Sequence, residues 1–198
     1  MRILVIPPND LLRHPLPNRL YHIFSRLAKQ NEIFLLAYPK HPLAAKNPLR
    51  HAEVHELPLC DIPASNVALY YLTNIPFIQS ALARIIDDVD VLVHANIIPS
   101  AIAVSLSQRH KVTSVYDYLD HFPESAANYF TPGTLTHRMV RSIASSFVNL
   151  AIRGSTTIVT VSYALRSVLK AYEPSKPIFI IPNGFDDRLF RPMQKEYA

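Results

Sequence analysis

Glycine is scarce in this sequence: Gly133, Gly154 and Gly184 are the three glycines among 198 residues. A Walker loop needs the pattern G-x-x-x-x-G-K, and the dinucleotide fingerprint needs G-x-G-x-x-G. No two of these glycines are close enough for either pattern, so both phosphate-binding loops are excluded within this chain. Any contact with a phosphate must be made without a glycine-rich cradle.

Cysteine and long apolar runs are also lacking. A single cysteine, Cys60, cannot form an internal disulfide or a thiolate metal cluster, and beside Pro58 it is expected to be a buried thiol. The apolar run at residues 3–6 is too short for a signal peptide. The longest uncharged stretch, residues 62–83, contains too many polar side chains for a membrane span. We therefore expect a soluble, cytoplasmic protein.

Basic residues outnumber acidic ones, and the excess lies in the second half. The net charge is +5, and residues 100–198 carry eleven Lys or Arg against seven Asp or Glu. Five basic residues and no acidic one lie between Glu124 and Glu173. Such a field attracts anions such as nucleotide sugars or acidic lipid headgroups, although a solvated helix face is the favoured explanation. Nucleic-acid binding is not expected, because no stripe of interleaved aromatic and basic residues is present.

Short apolar runs alternate with helical periods, which is typical of an α/β protein. We predict a Rossmann-like doubly wound sheet of about seven mainly parallel strands with helices on both faces. The predicted strands are residues 2–6, 33–37, 54–57, 91–94, 112–116, 157–161 and 178–181. Helices are predicted after Asn18, over 67–86 with a break at 74–76, over 99–109, over 134–153, and after Ser162. Gly154 is predicted to end the fourth of these as a C′ residue.

The helix predicted over residues 134–153 has two distinct faces. One face is apolar and is expected to be buried; it carries Val140, Ile143, Phe147, Leu150 and Ala151. The other is basic and includes Arg138 and Arg141.

Ligands of an open parallel sheet bind at the carboxyl ends of its strands. The loop after the first strand, residues 7–17, is longer than this connection usually is, which suggests a function. Polar residues follow the other strands as well. The resulting candidates for acceptor or substrate binding are Asn9, Arg13, His14, Arg19, His94, Asn96, Asp117, Asp120, His121 and Ser162. Capping and turn chemistry explain them equally well, and for Ser162 an N-cap is the simplest role.

Two metal-like patterns are weak. His51 and His55 are four residues apart, but the glutamate is misplaced for a zinc protease and a short strand is favoured there. Asp88 and Asp90 imitate a D-x-D site but lie where a helix gives way to a strand, so a surface turn is favoured. We predict no metal site and no resident cofactor, and we assign no catalytic residue.

The C-terminal third carries a specific motif. The run T-I-V-T-V-S ending at Ser162, then P-I-F-I-I-P-N-G-F-D over 177–186 and F-R-P over 190–192, resembles the retaining glycosyltransferases of family 4. Residues 90–95 (D-V-L-V-H-A) and 115–120 (V-Y-D-Y-L-D) resemble two further segments of that family. The resemblance implies the N-terminal half of a GT-B fold over residues 1–192, with an interdomain linker beginning at 193–198.

The resemblance also implies a function. Family members transfer a sugar from a nucleotide-sugar donor to an acceptor with retention, and the N-terminal domain mainly holds the acceptor. The donor is a substrate bound mainly by a second domain with an E-x7-E motif, which this chain lacks, so the chain alone is expected to be inactive. Asn183 and Gly184 would form the interdomain turn, with a positive φ tolerated there. Arg138 and Arg141 would face an anionic membrane.

Two departures from the family pattern stand out. The first loop lacks a glycine-rich turn, so Arg13, Arg19 or the start of the first helix would have to serve the donor phosphates. Where many members have a histidine, this sequence has Leu119, and any polar role would pass to Asp120 or His121. The acceptor is expected to be lipid-linked or a glycan, and the location the cytoplasm, at the inner face of the membrane. The alternative is a non-catalytic half-GT-B subunit that binds a glycan or a partner protein.

Overall fold

The computed structural model describes residues 1–9, 19–42 and 54–184. In this part of the chain seven strands form one sheet in which every neighbouring pair is parallel. The strands are β1 (Arg2–Ile6), β2 (Glu32–Ala37), β3 (Val54–Pro58), β4 (Val91–His94), β5 (Thr113–Tyr118), β6 (Thr157–Thr160) and β7 (Ile178–Ile180). The predicted parallel Rossmann-like sheet is confirmed.

Seven α-helices and a short 3-10 helix (Ile86–Asp88) connect the described strands. The α-helices are α1 (Arg19–Leu27), α2 (Val67–Thr73), α3 (Ile75–Ala83), α4 (Ile98–His110), α5 (Phe122–Ala127), α6 (Leu135–Gly154) and α7 (Tyr163–Tyr172). The break predicted at residues 74–76 separates α2 from α3. Asn74 is fully buried there, and its side chain bridges the N–H and the carbonyl of Ile62, while Pro76 lies in the first turn of the new helix.

The strand order is β3-β2-β1-β4-β5-β6-β7. The direction of winding reverses between β1 and β4, which is the point where open α/β sheets leave a crevice for ligands. All seven strands end at the same edge of the sheet because all are parallel. The loops that carry the predicted site residues therefore lie along that edge.

The two faces of the sheet are covered differently. Side chains alternate between faces along a strand, so Ile3 and Val5 pack against Leu20 and Phe24 of α1. The side chains of β1 that point to the opposite face, together with side chains of β4 to β7 on that face, pack against α2, α3, α4, α6 and α7. Among the described helices, α1 is the one that covers the first face. The prediction that helices cover both faces of the sheet is thus confirmed, but the described helices are divided unevenly between the two faces.

The buried face of α6 differs from the prediction. The structure buries Ala151, as predicted, but it does so together with Ala144, Val148 and Ile152, whereas Ile143 and Leu150 are exposed. The buried positions follow the predicted ones by one residue, a rotation of roughly 100° about the helix axis. Small side chains allow α6 to approach α4 closely, which the apolar period alone does not indicate.

Gly154 does not have its predicted role. It is the last residue of α6 and lacks the positive φ of a C′ glycine. A Cβ built on Gly154 would lie 1.9 Å from Cγ1 of Val104, so this glycine permits the close packing of α6 on α4. The positive φ belongs instead to Gly133, at 82°, in the loop before α6. Cys60, expected to be buried, is exposed.

Candidate functional site

The first loop begins at the carboxyl end of β1, where two side chains hold its backbone. The carbonyl oxygen of Pro8 accepts hydrogen bonds from Nδ2 of Asn96 (3.0 Å) and from the hydroxyl of Tyr71 (2.8 Å). The backbone N–H of Asn96 also donates to the Ser100 hydroxyl. Asn96 thus joins the loops after β1 and β4, and Asn9 lies half-buried beside them. Arg13 and His14 fall outside the described residues.

Arg19 and Asp117 form the charged centre of this edge. Arg19 begins α1, and its Nε lies 3.5 Å from Oδ2 of Asp117 near the end of β5. The side chains are 11% and 4% exposed, so the pair is largely withdrawn from water. Asp117 alternates with Tyr116 and Tyr118 along β5, which directs its carboxylate toward the face covered by α1.

Asp117 retains unused hydrogen-bonding capacity. Its Oδ1 is buried and has no hydrogen-bond partner among the described residues. Burial raises the pKa of the carboxyl from 3.8 to about 6, although the nearby Arg19 guanidinium opposes that rise. A buried acceptor atom without a partner is unfavourable. A ligand hydroxyl that donated to Oδ1 would remove this penalty.

Arg19 also reaches the segment that follows β7. Its Nη1 donates to the carbonyl oxygens of Ile181 (2.6 Å) and Pro182 (3.2 Å). One side chain therefore contacts the end of β5 and the end of the described chain. From the sequence, Arg19 was expected to serve donor phosphates, whereas the structure engages it with protein groups.

His94 lies on the opposite face of the sheet, away from Asp117. Its ring is fully buried, stacks on Tyr116 with centroids 4.9 Å apart, and places Nε2 3.1 Å from the Ser155 hydroxyl. Burial lowers the pKa of His94 to about 3, so the ring is neutral. In this arrangement His94 joins β4, β5 and the end of α6 and offers no surface to a ligand.

The loop after β5 is organised by Asp120 and His121. The Asp120 carboxylate accepts from the backbone N–H of His121 (2.7 Å) and from the Ser125 hydroxyl. Nδ1 of His121 lies 2.8 Å from the Tyr118 hydroxyl. Asp120 is exposed and His121 half-buried, so both remain at the surface of the same edge as Asp117.

Ser162 and the residues after β7 complete the edge. Ser162 caps α7, its hydroxyl accepting from the backbone N–H of Leu165 at 3.2 Å. Asn183 and Gly184 are exposed, but neither has the positive φ that the predicted turn would use. Residues 185–192 of the motif fall outside the described residues, so the interdomain turn at Asn183 and Gly184 stays a prediction.

An apolar stripe on α6 faces solvent. It consists of Leu135, Met139, Ile143 and Leu150, which are 49–74% exposed. Arg138 is exposed beside the stripe. Arg141 instead binds the carboxylate of Glu124, with Nε 2.7 Å from Oε1, so part of its charge is offset.

Within the described ranges, no cluster of three or more His, Cys, Asp or Glu could hold a metal ion. None of the helices described there has the length and hydropathy needed to cross a membrane. The described edge presents a buried carboxylate, a guanidinium, a histidine and backbone groups, all of which can form hydrogen bonds with hydroxyls or anions.

Sequence comparison identifies the family. The model of Glycosyltransferase Family 4 matches residues 17–189, most of the chain. The chain belongs to glycosyltransferase family 4. No curated protein matches the sequence.

Solved structures of glycosyltransferases share this fold. Sucrose-phosphate synthase from Thermosynechococcus elongatus superposes with a TM-score of 0.68 at 11% identity, over 98% of this chain and 51% of that one. A UDP-glucosyltransferase from Polygonum tinctorium gives a TM-score of 0.59 at 10% identity, over 99% and 55% of the two chains. Anabaena Alr3699/HepE in complex with UDP-glucose gives 0.56 at 15% identity, over 98% and 46%. The family 4 chain spans about half the length of these proteins, which matches the expected half of a GT-B fold.

Two residues of this family 4 domain support its loops and strands near the edge, although no sequence pattern indicated them. Tyr71, on the crossover between β3 and β4, holds the first loop, and Ser155 positions His94. Neither residue adjoins the carboxyl end of a predicted strand, so no local signal identifies them. Of the predicted candidates, the structure brings Arg19 and Asp117 into contact and places Asp120 and His121 in the loop that follows.

Proposed function

We propose that this chain is the acceptor-binding domain of a retaining glycosyltransferase. The full enzyme would transfer a sugar from a nucleotide-sugar donor to a lipid-linked or glycan acceptor. The neighbours crystallised with UDP or UDP-glucose support a nucleotide-sugar donor, and family membership supports glycosyl transfer. The donor would be a substrate held mainly by a second domain, and no resident cofactor or metal is required.

One observation carries the acceptor assignment: Oδ1 of Asp117 is buried, unpaired among the described residues, and located at the carboxyl edge of the sheet. A carboxylate is an acceptor-only group when ionised and binds a hydroxyl with a charge-assisted hydrogen bond. Sugars present several such hydroxyls. We assign Asp117 to binding an acceptor hydroxyl, with Asp120 and His121 as further polar groups of the same edge.

The experiment is a transfer assay with the polypeptide encoded by the complete gene. A panel of nucleotide sugars is combined with lipid-linked and soluble glycan acceptors, and products are followed by mass spectrometry and their anomeric configuration by NMR. We expect a retained configuration. Asp117→Asn should lower kcat/KM by roughly 10- to 100-fold, as expected for losing a hydrogen bond to a charged group.

Asp88→Asn is the matched control, because Asp88 is exposed and lies before β4, at the other edge of the sheet. It should leave kcat/KM unchanged. The 198-residue chain alone should give no turnover. Turnover by that chain, an inverted product, or full activity of Asp117→Asn would each contradict the corresponding part of the proposal. A stable chain that binds glycans without transfer would favour the alternative, a non-catalytic binding subunit.

We also propose that the domain associates with the inner, cytoplasmic face of an anionic membrane through α6. The exposed apolar stripe and the neighbouring Arg138 form an amphipathic surface of the kind that lies in a membrane interface. Between Glu124 and Glu173 the sequence has five basic residues and no acidic one, which favours anionic headgroups. Such placement would bring the acceptor site close to a lipid-linked substrate.

A further inference from the structure

The segment that leaves β7 is attached to the sheet by few described contacts. The backbone N–H of Ile181 donates to the carbonyl of Thr160 at 2.8 Å, which is the last backbone bond of this ladder in the described chain. Pro182 has no N–H to donate, and Asn183 and Gly184 are exposed. The carbonyls of Ile181 and Pro182 are instead bound by Nη1 of Arg19.

Arg19 holds this segment while it pairs with Asp117. The same guanidinium places Nε 3.5 Å from Oδ2 of Asp117, across 98 residues of sequence, and Nη1 on carbonyls 162 and 163 residues away. A guanidinium is planar and rigid, so movement of one nitrogen moves the others. Loss of the Asp117 charge removes one of the groups that orient the fork.

We propose that Arg19 is a positioning residue through which the charge of Asp117 controls how firmly residues 181–184 are held against the sheet. When Asp117 is ionised, its carboxylate orients Arg19 and the segment is held. When Asp117 is neutral, the pairing is lost and the segment is released more often. A hydroxyl ligand that favours the ionised carboxylate would tighten the segment, so occupancy of the edge would be coupled to the direction in which the chain leaves the domain.

The surroundings of Asp117 make it the controlling group. On its own strand, Tyr116 and Tyr118 point to the opposite face, together with the neutral His94 of β4. The residue of β6 in register with Asp117 is the apolar Val159, and α1 contributes Arg19. The pKa of Asp117, raised to about 6 by burial, puts its ionisation within an accessible pH range.

The test uses a nitroxide label on Asn183→Cys in a Cys60→Ser background, since Cys60 is exposed and would also react. Electron paramagnetic resonance reports the mobile fraction of the label. Between about pH 8 and about pH 5, which bracket the Asp117 pKa, the mobile fraction should rise by roughly fivefold, the factor that corresponds to an ion pair of about 1 kcal/mol. The midpoint should lie near the Asp117 pKa.

Variants assign the effect to the two residues. In the Asp117→Asn and Arg19→Gln variants the label should have a high mobile fraction that does not change with pH. In Arg19→Lys the mobile fraction should lie between those of these two variants and that of the parent. Arg26→Gln, on the exposed surface of the same helix, should behave as the parent does, and a label at the exposed Ala171 of α7 should not respond to pH. Circular dichroism confirms that each variant is folded.

A parent label that is equally immobile at both pH values overturns the proposal, and this outcome needs no variant to fold. An Arg19→Gln label as immobile as the parent label overturns it too. The readout involves no sugar transfer, so the failure of this inference is distinguishable from the failure of the proposed function.

Discussion

At the residue scale, the ends of strands could be predicted from the sequence but the partners of their side chains could not. Asp117 was expected at the carboxyl edge because it lies at the end of an apolar run that predicts a strand. Its pairing with Arg19, and the reach of Arg19 to Ile181, join positions 98 and 162 residues apart. Such contacts depend on how α1 lies on the sheet, which no local pattern specifies.

Asp117 should make stability depend on pH. Its pKa is raised from 3.8 to about 6 in the folded protein, so between these values the folded state binds the proton more tightly than the unfolded chain does. Folding stability contributed by this group therefore falls as pH rises through this range. Asp117→Asn removes this contribution to the pH dependence of stability. Between about pH 4 and about pH 7.5, the free energy of unfolding of the parent should therefore fall by on the order of 2–3 kcal/mol more than that of the variant.

The measurement is urea unfolding of parent and variant at those two pH values. The Asp117→Asn substitution also alters the contact with Arg19. The pH-dependent part of that contact is already contained in the folded-state pKa of Asp117, and its pH-independent part cancels when the two differences are compared. An equal difference in unfolding free energy at both pH values would show that Asp117 is not the titrating group.

At the element scale, strands were more predictable than helix faces. Buried parallel strands are continuous apolar runs, and all seven predicted strands lie within two residues of the observed bounds. Helix α6 has apolar residues around much of its circumference, so periodicity selected Ile143 and Phe147 where the structure buries Ala144 and Val148. The close approach of α4 determines which face of α6 is buried. In the sequence, Gly154 was the residue that indicated such close packing.

Gly154→Ala should destabilise the protein through this contact. The added Cβ would lie 1.9 Å from Cγ1 of Val104, and overpacking costs about 1–3 kcal/mol, part of which is offset by the higher helix propensity of alanine. We expect a net loss of about 1–2 kcal/mol in chemical denaturation. The loss of stability caused by Gly154→Ala should be smaller when it is measured in a Val104→Ala background, because the clashing methyl group is gone.

Gly184→Ala is the matched control, since no atom of the described residues lies within 4 Å of its added Cβ and Gly184 lacks a positive φ. Its unfolding free energy should stay within about 0.5 kcal/mol of the parent value. Additive effects of Gly154→Ala and Val104→Ala would contradict the proposed contact, because contacting residues show coupling in a double-mutant cycle.

At the scale of the whole molecule, the carboxyl edge and the α6 surface are separate functional regions. The edge contains the buried Arg19–Asp117 pair, whereas α6 exposes its apolar stripe on the helix-rich face. The sequence predicted that α6 is amphipathic but placed the apolar side inward. Because a second apolar side is buried against α4, the exposed stripe is surplus to the core and requires its own explanation.

Membrane binding by this surface can be measured by co-sedimentation with phosphatidylcholine vesicles that contain or lack phosphatidylglycerol. The chain should bind the anionic vesicles preferentially, and high salt should release it. Arg138→Gln should lower the partition coefficient by roughly fivefold, since each basic residue near an anionic surface contributes about 1 kcal/mol. Arg26→Gln changes the net charge equally but lies on α1, across the sheet from α6, and should bind as the parent does.

The double substitution Met139→Gln and Ile143→Gln tests the apolar part of the surface. It should weaken membrane binding further at any salt concentration, because apolar insertion does not depend on charge. Equal binding by Arg138→Gln and Arg26→Gln, or by anionic and neutral vesicles, would assign the exposed stripe to another partner.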